Sequence, residues 1–166
     1  NTYTMINYRL VFGLLFFVNL HVFSQNLDET KKNIIKSIEN HEEEIIKISD
    51  KIWELAETAF NEYESSKLLS DYAEANGFSL ERGVAGMPTA FIATYGQGRP
   101  VISVLGEFDA LPGLSQDTTP TKKPLTEGGN GHGCGHNLFG AASLASAIAI
   151  KEQIENGDLK GTIKFF

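Results

Sequence analysis

The chain has 166 residues, of which 42% are hydrophobic, 21% charged and 10% aromatic, a balance that suits one globular domain of mixed structure and excludes disorder. Lys and Arg number 14 against 21 Asp and Glu, so the formal charge is -7 and a cationic surface for nucleic-acid phosphates is missing. The single cysteine, Cys134, excludes a disulfide within the chain and an all-cysteine zinc knuckle.

Near the start, Arg9 precedes the apolar run from Leu10 to Val18, which is shorter than the roughly 20 apolar residues of a membrane-spanning helix and has the length of a secretory h-region. Residues 1–24 are therefore expected to form a signal peptide with Ser24 at the cleavage site. This implies a secreted or periplasmic protein with no stable membrane span after processing; a retained N-terminal anchor is the alternative. From Leu27 to Phe60 the pattern is helical. Ile34, Ile35, Ile38, Ile45, Ile46, Ile48, Ile52 and Trp53 recur at spacings of three and four, predicting one long helix or two consecutive ones. Glu42 to Glu44, with His41 beside them, are assigned to the solvated side of this helix. A second helix is expected over 64–76, stopped by Asn76-Gly77.

The period then changes. Thr89 to Tyr95 and Pro100 to Leu105 are short, rich in β-branched and aromatic residues, and divided by Gly96-Gln-Gly98, which predicts two strands joined by a turn. Helix returns over 138–155 with many small residues, and Gly161 to Phe166 opens another strand. Helices and strands in this order predict an α/β fold, a sheet covered by helices. Because the last strand ends at Phe166 with no turn or polar tail, the chain is expected to be the N-terminal piece of a longer one.

The chemistry is concentrated between the second strand and the third helix, in a loop of about thirty residues, where compact domains usually connect elements with about 4 to 6. The loop leaves a strand and enters a helix N-terminus, the place where open α/β sheets form ligand crevices. Its second half sets His132, Cys134 and His136 at alternate positions separated by single glycines. Three readings fit these residues: a transition-metal site, a glycine-rich turn in which Asn137 caps the next helix, and a phosphate-cradling loop. Neither standard phosphate-loop glycine pattern can be matched, which weakens the third. In the first half, Glu107 and Asp109 lie two apart beyond a strand, so an extended backbone would point both carboxylates the same way. Oxygen donors beside a thiolate and an imidazole suit zinc, or manganese with less selectivity.

Gly106-Glu-Phe-Asp-Ala-Leu-Pro-Gly-Leu-Ser-Gln116 and Gly131-His-Gly-Cys-Gly-His-Asn-Leu-Phe-Gly140 closely resemble the M20 family of metallopeptidases and amidohydrolases, in the branch acting on p-aminobenzoyl-glutamate. The resemblance extends from about Ile52 to Phe166 and includes Trp53 to Phe60 and Gly83 to Thr89. It implies a zinc- or manganese-dependent amidohydrolase, with two ions in the full-length protein. Residues 25–166 would be the N-terminal part of its catalytic α/β sandwich, and a later domain would make a homo-oligomer. By the same resemblance Cys134 and His136 are metal ligands, and Asp109 is the residue that orients a metal-bound histidine. Glu107 stands where the peptidase members have that histidine, which leaves open whether it binds metal. Asn137 stands where related hydrolases have Asp. The expected substrate is an N-acyl or aryl amide of an amino acid. The alternatives are a non-catalytic metal- or small-ligand-binding protein and an M20 dipeptidase or aminoacylase of other specificity.

Overall fold

The computed structural model describes the chain from Thr2, with side chains from Glu29 onward. The expected signal peptide, 1–24, lies outside the fully described residues. Among the described residues no helix is long and apolar enough to cross a membrane.

One helix, α1 (Thr2–Leu55), takes up the expected helical stretch as far as Leu55; residues 56–60, expected to continue it, form a turn in which Ala56 and Phe60 have left-handed backbone. Only part of its isoleucine pattern faces the core. Ile48 and Ile52 are buried and Ile45 packs against them, while Ile35, Ile38 and Ile46 are exposed. The buried stripe is narrow because its residues repeat at three and four, and it runs from Ser37 through His41 to Ile45, Ile48 and Ile52. His41 therefore departs from the solvated position expected of it. It is half buried, with Nδ1 2.7 Å from the Tyr72 hydroxyl and Nε2 3.0 Å from Glu152 Oε1. Its neighbours Glu42, Glu43 and Glu44 do face solvent, and Lys47 pairs with the last two.

Helix α2 (Tyr63–Ala75) starts where expected within a residue. The N–H groups of its first turn lack partners within the helix. The carboxylate of Glu57, in the preceding loop, accepts from the amides of Glu64 and Ser65 and from the Ser65 hydroxyl. After α2 comes β1 (Ser79–Arg82), a short strand that nothing in Ser-Leu-Glu-Arg announces. It is followed by β2 (Phe91–Gln97), β3 (Val101–Val104), helix α3 (His136–Glu155) and β4 (Gly161–Phe165).

The four strands lie in the order β1-β2-β4-β3. β2 and β3, consecutive in sequence, do not pair: β4 lies between them, antiparallel to β2 and parallel to β3. A parallel neighbour needs a crossover connection, and the long loop with α3 supplies it. The mixed sheet with helices packed on it is the α/β architecture that the element order predicts.

The core forms where α3 meets the sheet and α1. Ala141, Leu144, Ala147 and Ile148 of α3 pack with Ile52 of α1, Leu69 of α2, Phe91 of β2, and Ile163 and Phe165 of β4. The alanines keep α3 close to its neighbours, and its buried positions extend nearly around the helix. At the opposite edge, Val101 and Ile102 of β3 are about half exposed.

Candidate active site

The loop that leaves β3 is fixed at three places before it enters α3. Gly106 N–H donates to Phe166 O at 2.9 Å, continuing the β3–β4 ladder by one residue. Ala110 forms a parallel bridge with Thr58, its N–H donating to Glu57 O at 2.7 Å. Leu111 and Gly131 exchange two backbone hydrogen bonds of 3.0 Å each, which ties the first half of the loop to the second. A Cβ on Gly131 would lie 2.1 Å from Leu114 O, so only glycine allows the two halves this near each other.

These anchors bring three stretches together: the turn after α1, residues 107–111, and residues 129–136. The turn has two non-glycine residues with left-handed backbone, Ala56 at φ 44° and Phe60 at φ 65°. Such conformations carry a steric cost for L residues, and here they aim Thr58 at Ala110.

Glu107 and Asp109 meet on one imidazole, as an extended backbone would have them. His136 Nδ1–H donates to Asp109 Oδ1 at 2.7 Å, and His136 Nε2 stands 2.9 Å from Glu107 Oε2. His136 is the first residue of α3, positioned by Gly135, whose left-handed φ of 81° turns the chain into the helix. With Nδ1 turned to Asp109, the other ring nitrogen, Nε2, is the atom that faces the Glu107 carboxylate. Two electron-rich atoms at that distance require a proton or a cation between them. A histidine whose far nitrogen is fixed by one carboxylate, facing a second carboxylate, supplies two donor atoms of kinds that divalent metals use, fewer than a full site needs.

Cys134 stands apart from that pair. It sits, exposed, in the turn closed by Gly135 N–H donating to His132 O at 3.1 Å. Among the described residues no three His, Cys, Asp or Glu side chains converge in a geometry that would hold a metal ion. The structure thus joins Glu107, Asp109 and His136 and leaves Cys134 next to them along the chain.

His132 has a separate role. Its Nε2–H donates to Ile52 O at 3.0 Å, a second bond to a carbonyl that also accepts from Ala56 N–H at 3.1 Å, while Nδ1 is buried without a partner. Burial pushes its pKa below the usual histidine value, more than the Ile52 carbonyl and the charge of Asp109 raise it, so the ring is neutral near pH 7. Asn137 does not cap α3. It lies within the helix, buried, and its Nδ2 donates to Ser49 Oγ at 3.3 Å.

Beside this cluster a cleft of about 520 Å³ opens between the end of α1 and the loop. Trp53 and Ala56 form one wall, Gln116 to Thr118 another, and Asn130 to Gly133 the floor that runs on to Cys134. Gln116 organises the outer wall: its Nε2 donates to the carbonyls of Asp117, Thr119 and Thr121, and its Oε1 accepts from Lys123 N–H. Sequence patterning does not announce this cleft. The only sign of it along the chain is a tryptophan at the end of a helix.

The chain resembles known proteins over most of its length. It is 45% identical over 143 residues to one of the subunits of the p-aminobenzoyl-glutamate hydrolase of Escherichia coli, an alignment covering 84% of this chain and 29% of that protein. A thermostable carboxypeptidase of Saccharolobus solfataricus is 32% identical over 136 residues, 81% of this chain and 32% of the relative. Among solved structures, a Bacillus subtilis protein described as a dinuclear metal-binding peptidase of the M20 family superimposes with a TM-score of 0.61 at 27% identity. That match covers 73% of this chain and 33% of the other. A putative aminohydrolase from methicillin-resistant Staphylococcus aureus shares the fold, with a TM-score of 0.65. No family model matches. The chain therefore spans about a third or less of the length of the relatives it matches.

Proposed function

We infer, from the premise that this chain belongs to the M20 family of metallopeptidases and amidohydrolases, that the full-length protein is a metal-dependent amidohydrolase. Its substrate class is an N-acyl or aryl amide of an amino acid, with p-aminobenzoyl-glutamate as the leading candidate. The observation that carries this reading is the His136 imidazole held by Asp109 and facing Glu107. Residues 25–166 form the N-terminal part of the catalytic domain, and the complete protein forms a homo-oligomer.

Cys134 and His136 would hold the metal, zinc or manganese, with Glu107 as an adjoining donor. When bound, such an ion supplies Lewis acidity toward the amide carbonyl and brings a water toward a pKa of about 7. The chain's own contribution is positional. Asp109 accepts a hydrogen bond from His136 Nδ1–H, which orients the ring so that Nε2, beside Glu107, is the nitrogen a metal would take. The Leu111–Gly131 pairing holds Asp109 and His136 in one frame although 27 residues separate them. Cys134 is exposed in the turn two residues before His136.

The test is turnover of p-aminobenzoyl-glutamate by full-length protein loaded with zinc or manganese, measured beside hippurate and a simple dipeptide. Hydrolysis of the aryl amide above the other two is expected. Residues 1–166 alone are expected to show no detectable turnover, because the described residues do not assemble three metal donors. Turnover of none of the three substrates by metal-loaded full-length protein would reject the enzyme reading in favour of a binding protein.

Export is the second part of the reading, resting on Arg9 and the Leu10 to Val18 run. Mass spectrometry of protein from the native cell envelope should find Gln25 at the N-terminus. A mature chain that still carries Leu10 to Val18 would refute the signal peptide.

A further inference from the structure

The cleft between Trp53 and the Gln116 loop has room for part of a substrate, and its chemistry discriminates between the two halves of an acyl-amino acid. Trp53 offers an aromatic surface, half exposed, at one wall. The polar groups opposite are largely committed. Both ends of Gln116 bond to its own loop, Asn130 Nδ2 donates to Ala56 O at 3.2 Å, and His132 Nε2 is engaged with Ile52 O. No Lys or Arg is among the described residues that line the cleft, and its two carboxylates, Glu54 and Asp117, are paired with Lys51 and Lys123 on the outside.

A carboxylate entering such a space would lose water without gaining a charged partner, which is costly. A flat, uncharged ring would lose little and would gain contact with the indole, since aromatic pairs are favourable beyond the area they bury. We propose that this cleft binds the neutral aromatic acyl half of the amide, with Trp53 as its stacking surface, and that the carboxylates of the amino-acid half are bound elsewhere. This inference rests on the amidohydrolase reading for the identity of the ligand. The floor of the cleft, Asn130 to Gly133, leads directly to Cys134, so an acyl group lying there would bring its carbonyl toward the candidate metal donors.

Two measurements on the full-length protein test this. In the first, benzamide, an uncharged ring, is titrated while tryptophan emission is recorded, and the Trp53→Leu variant is subtracted to isolate the one indole in these 166 residues. Saturable quenching by benzamide and none by L-glutamate is expected. Absence of a Trp53-dependent signal in folded protein would overturn the proposal. In the second, Trp53→Leu should raise KM for benzoyl-glutamate about fivefold with kcat unchanged, and leave acetyl-glutamate unaffected. An equal loss on both substrates would mean that Trp53 only supports the fold. If Trp53→Leu fails to fold, Thr118→Arg, at an exposed position of the rim, takes its place. It should improve turnover of a 4-carboxybenzoyl substrate relative to benzoyl, and an unchanged ratio would count against the cleft as the acyl site.

The two readings fail separately. Benzamide binding at Trp53 without any amide hydrolysis would remove the proposed activity and keep the cleft. Hydrolysis without involvement of Trp53 would do the reverse.

Discussion

Full-length protein carrying His136→Ala is expected to lose its bound metal and its hydrolytic activity, and Cys134→Ala to do the same. A metal site that loses a directly bound donor loses its geometry as well as one bond. Asp109→Ala removes only the acceptor that fixes the His136 ring, and the cost of such a change is about 10-fold to 100-fold in metal affinity or activity. His132→Ala should behave differently from all three. Its imidazole ties the loop to the end of α1 through the Ile52 carbonyl, which also accepts from Ala56 N–H, so the loss appears as destabilisation of about 1 kcal/mol rather than as metal release. Metal content by elemental analysis, set beside urea denaturation of the same variants, separates the two effects. The assignment fails if His132→Ala releases metal as completely as His136→Ala while Asp109→Ala retains it.

The largest effect on stability is expected at Phe165. Its side chain is fully buried, its ring meets Phe91 edge to face at 5.5 Å, and it lies directly under Gly106, where a Cβ would come within 2.7 Å of it. Phe165→Ala deletes a large side chain from a region that strands β2 and β4 and helix α3 cannot easily collapse to fill. A loss of about 3 to 5 kcal/mol is expected, measurable as a fall in the urea midpoint. Because Gly106 starts the segment that presents Glu107 and Asp109, the variant should also weaken metal retention. Leu105→Ala, one residue earlier but 60% exposed, should change neither. Similar midpoints for the two variants would show that the core is not organised around Phe165.

Elements with strong local signals were legible in the sequence. The apolar spacing of α2 and α3 placed both helices to within two residues, and the glycine-spaced histidines and cysteine marked the loop in which His136 meets Glu107 and Asp109. The spacing of Glu107 and Asp109 correctly placed both carboxylates on one side, where the structure shows them against His136. What remained hidden depends on partners distant in sequence. β1 has no strand-like composition and exists because it pairs with β2. Inserting β4 between β2 and β3 is decided by the α3 crossover, which local turn signals cannot report. His41 looked solvated because its immediate neighbours are glutamates, yet Tyr72 and Glu152 approach it from two other helices. The cleft has a similar origin, its walls coming from residues more than sixty positions apart.

The Leu111–Gly131 pairing also separates two kinds of change that evolution or design can make in this protein. It closes residues 112–130 into a lobe whose ends are fixed to each other, so the lobe's length can vary without altering the distance from Asp109 to His136. Lengthening a closed loop is inexpensive in chain entropy, about 0.6 kcal/mol for each doubling. Insertions between Asp117 and Lys123 would reshape the outer wall of the cleft while Asp109 and His136 keep their positions. The shape of that wall is therefore open to change by loop grafting alone, with the cluster of Glu107, Asp109 and His136 held constant.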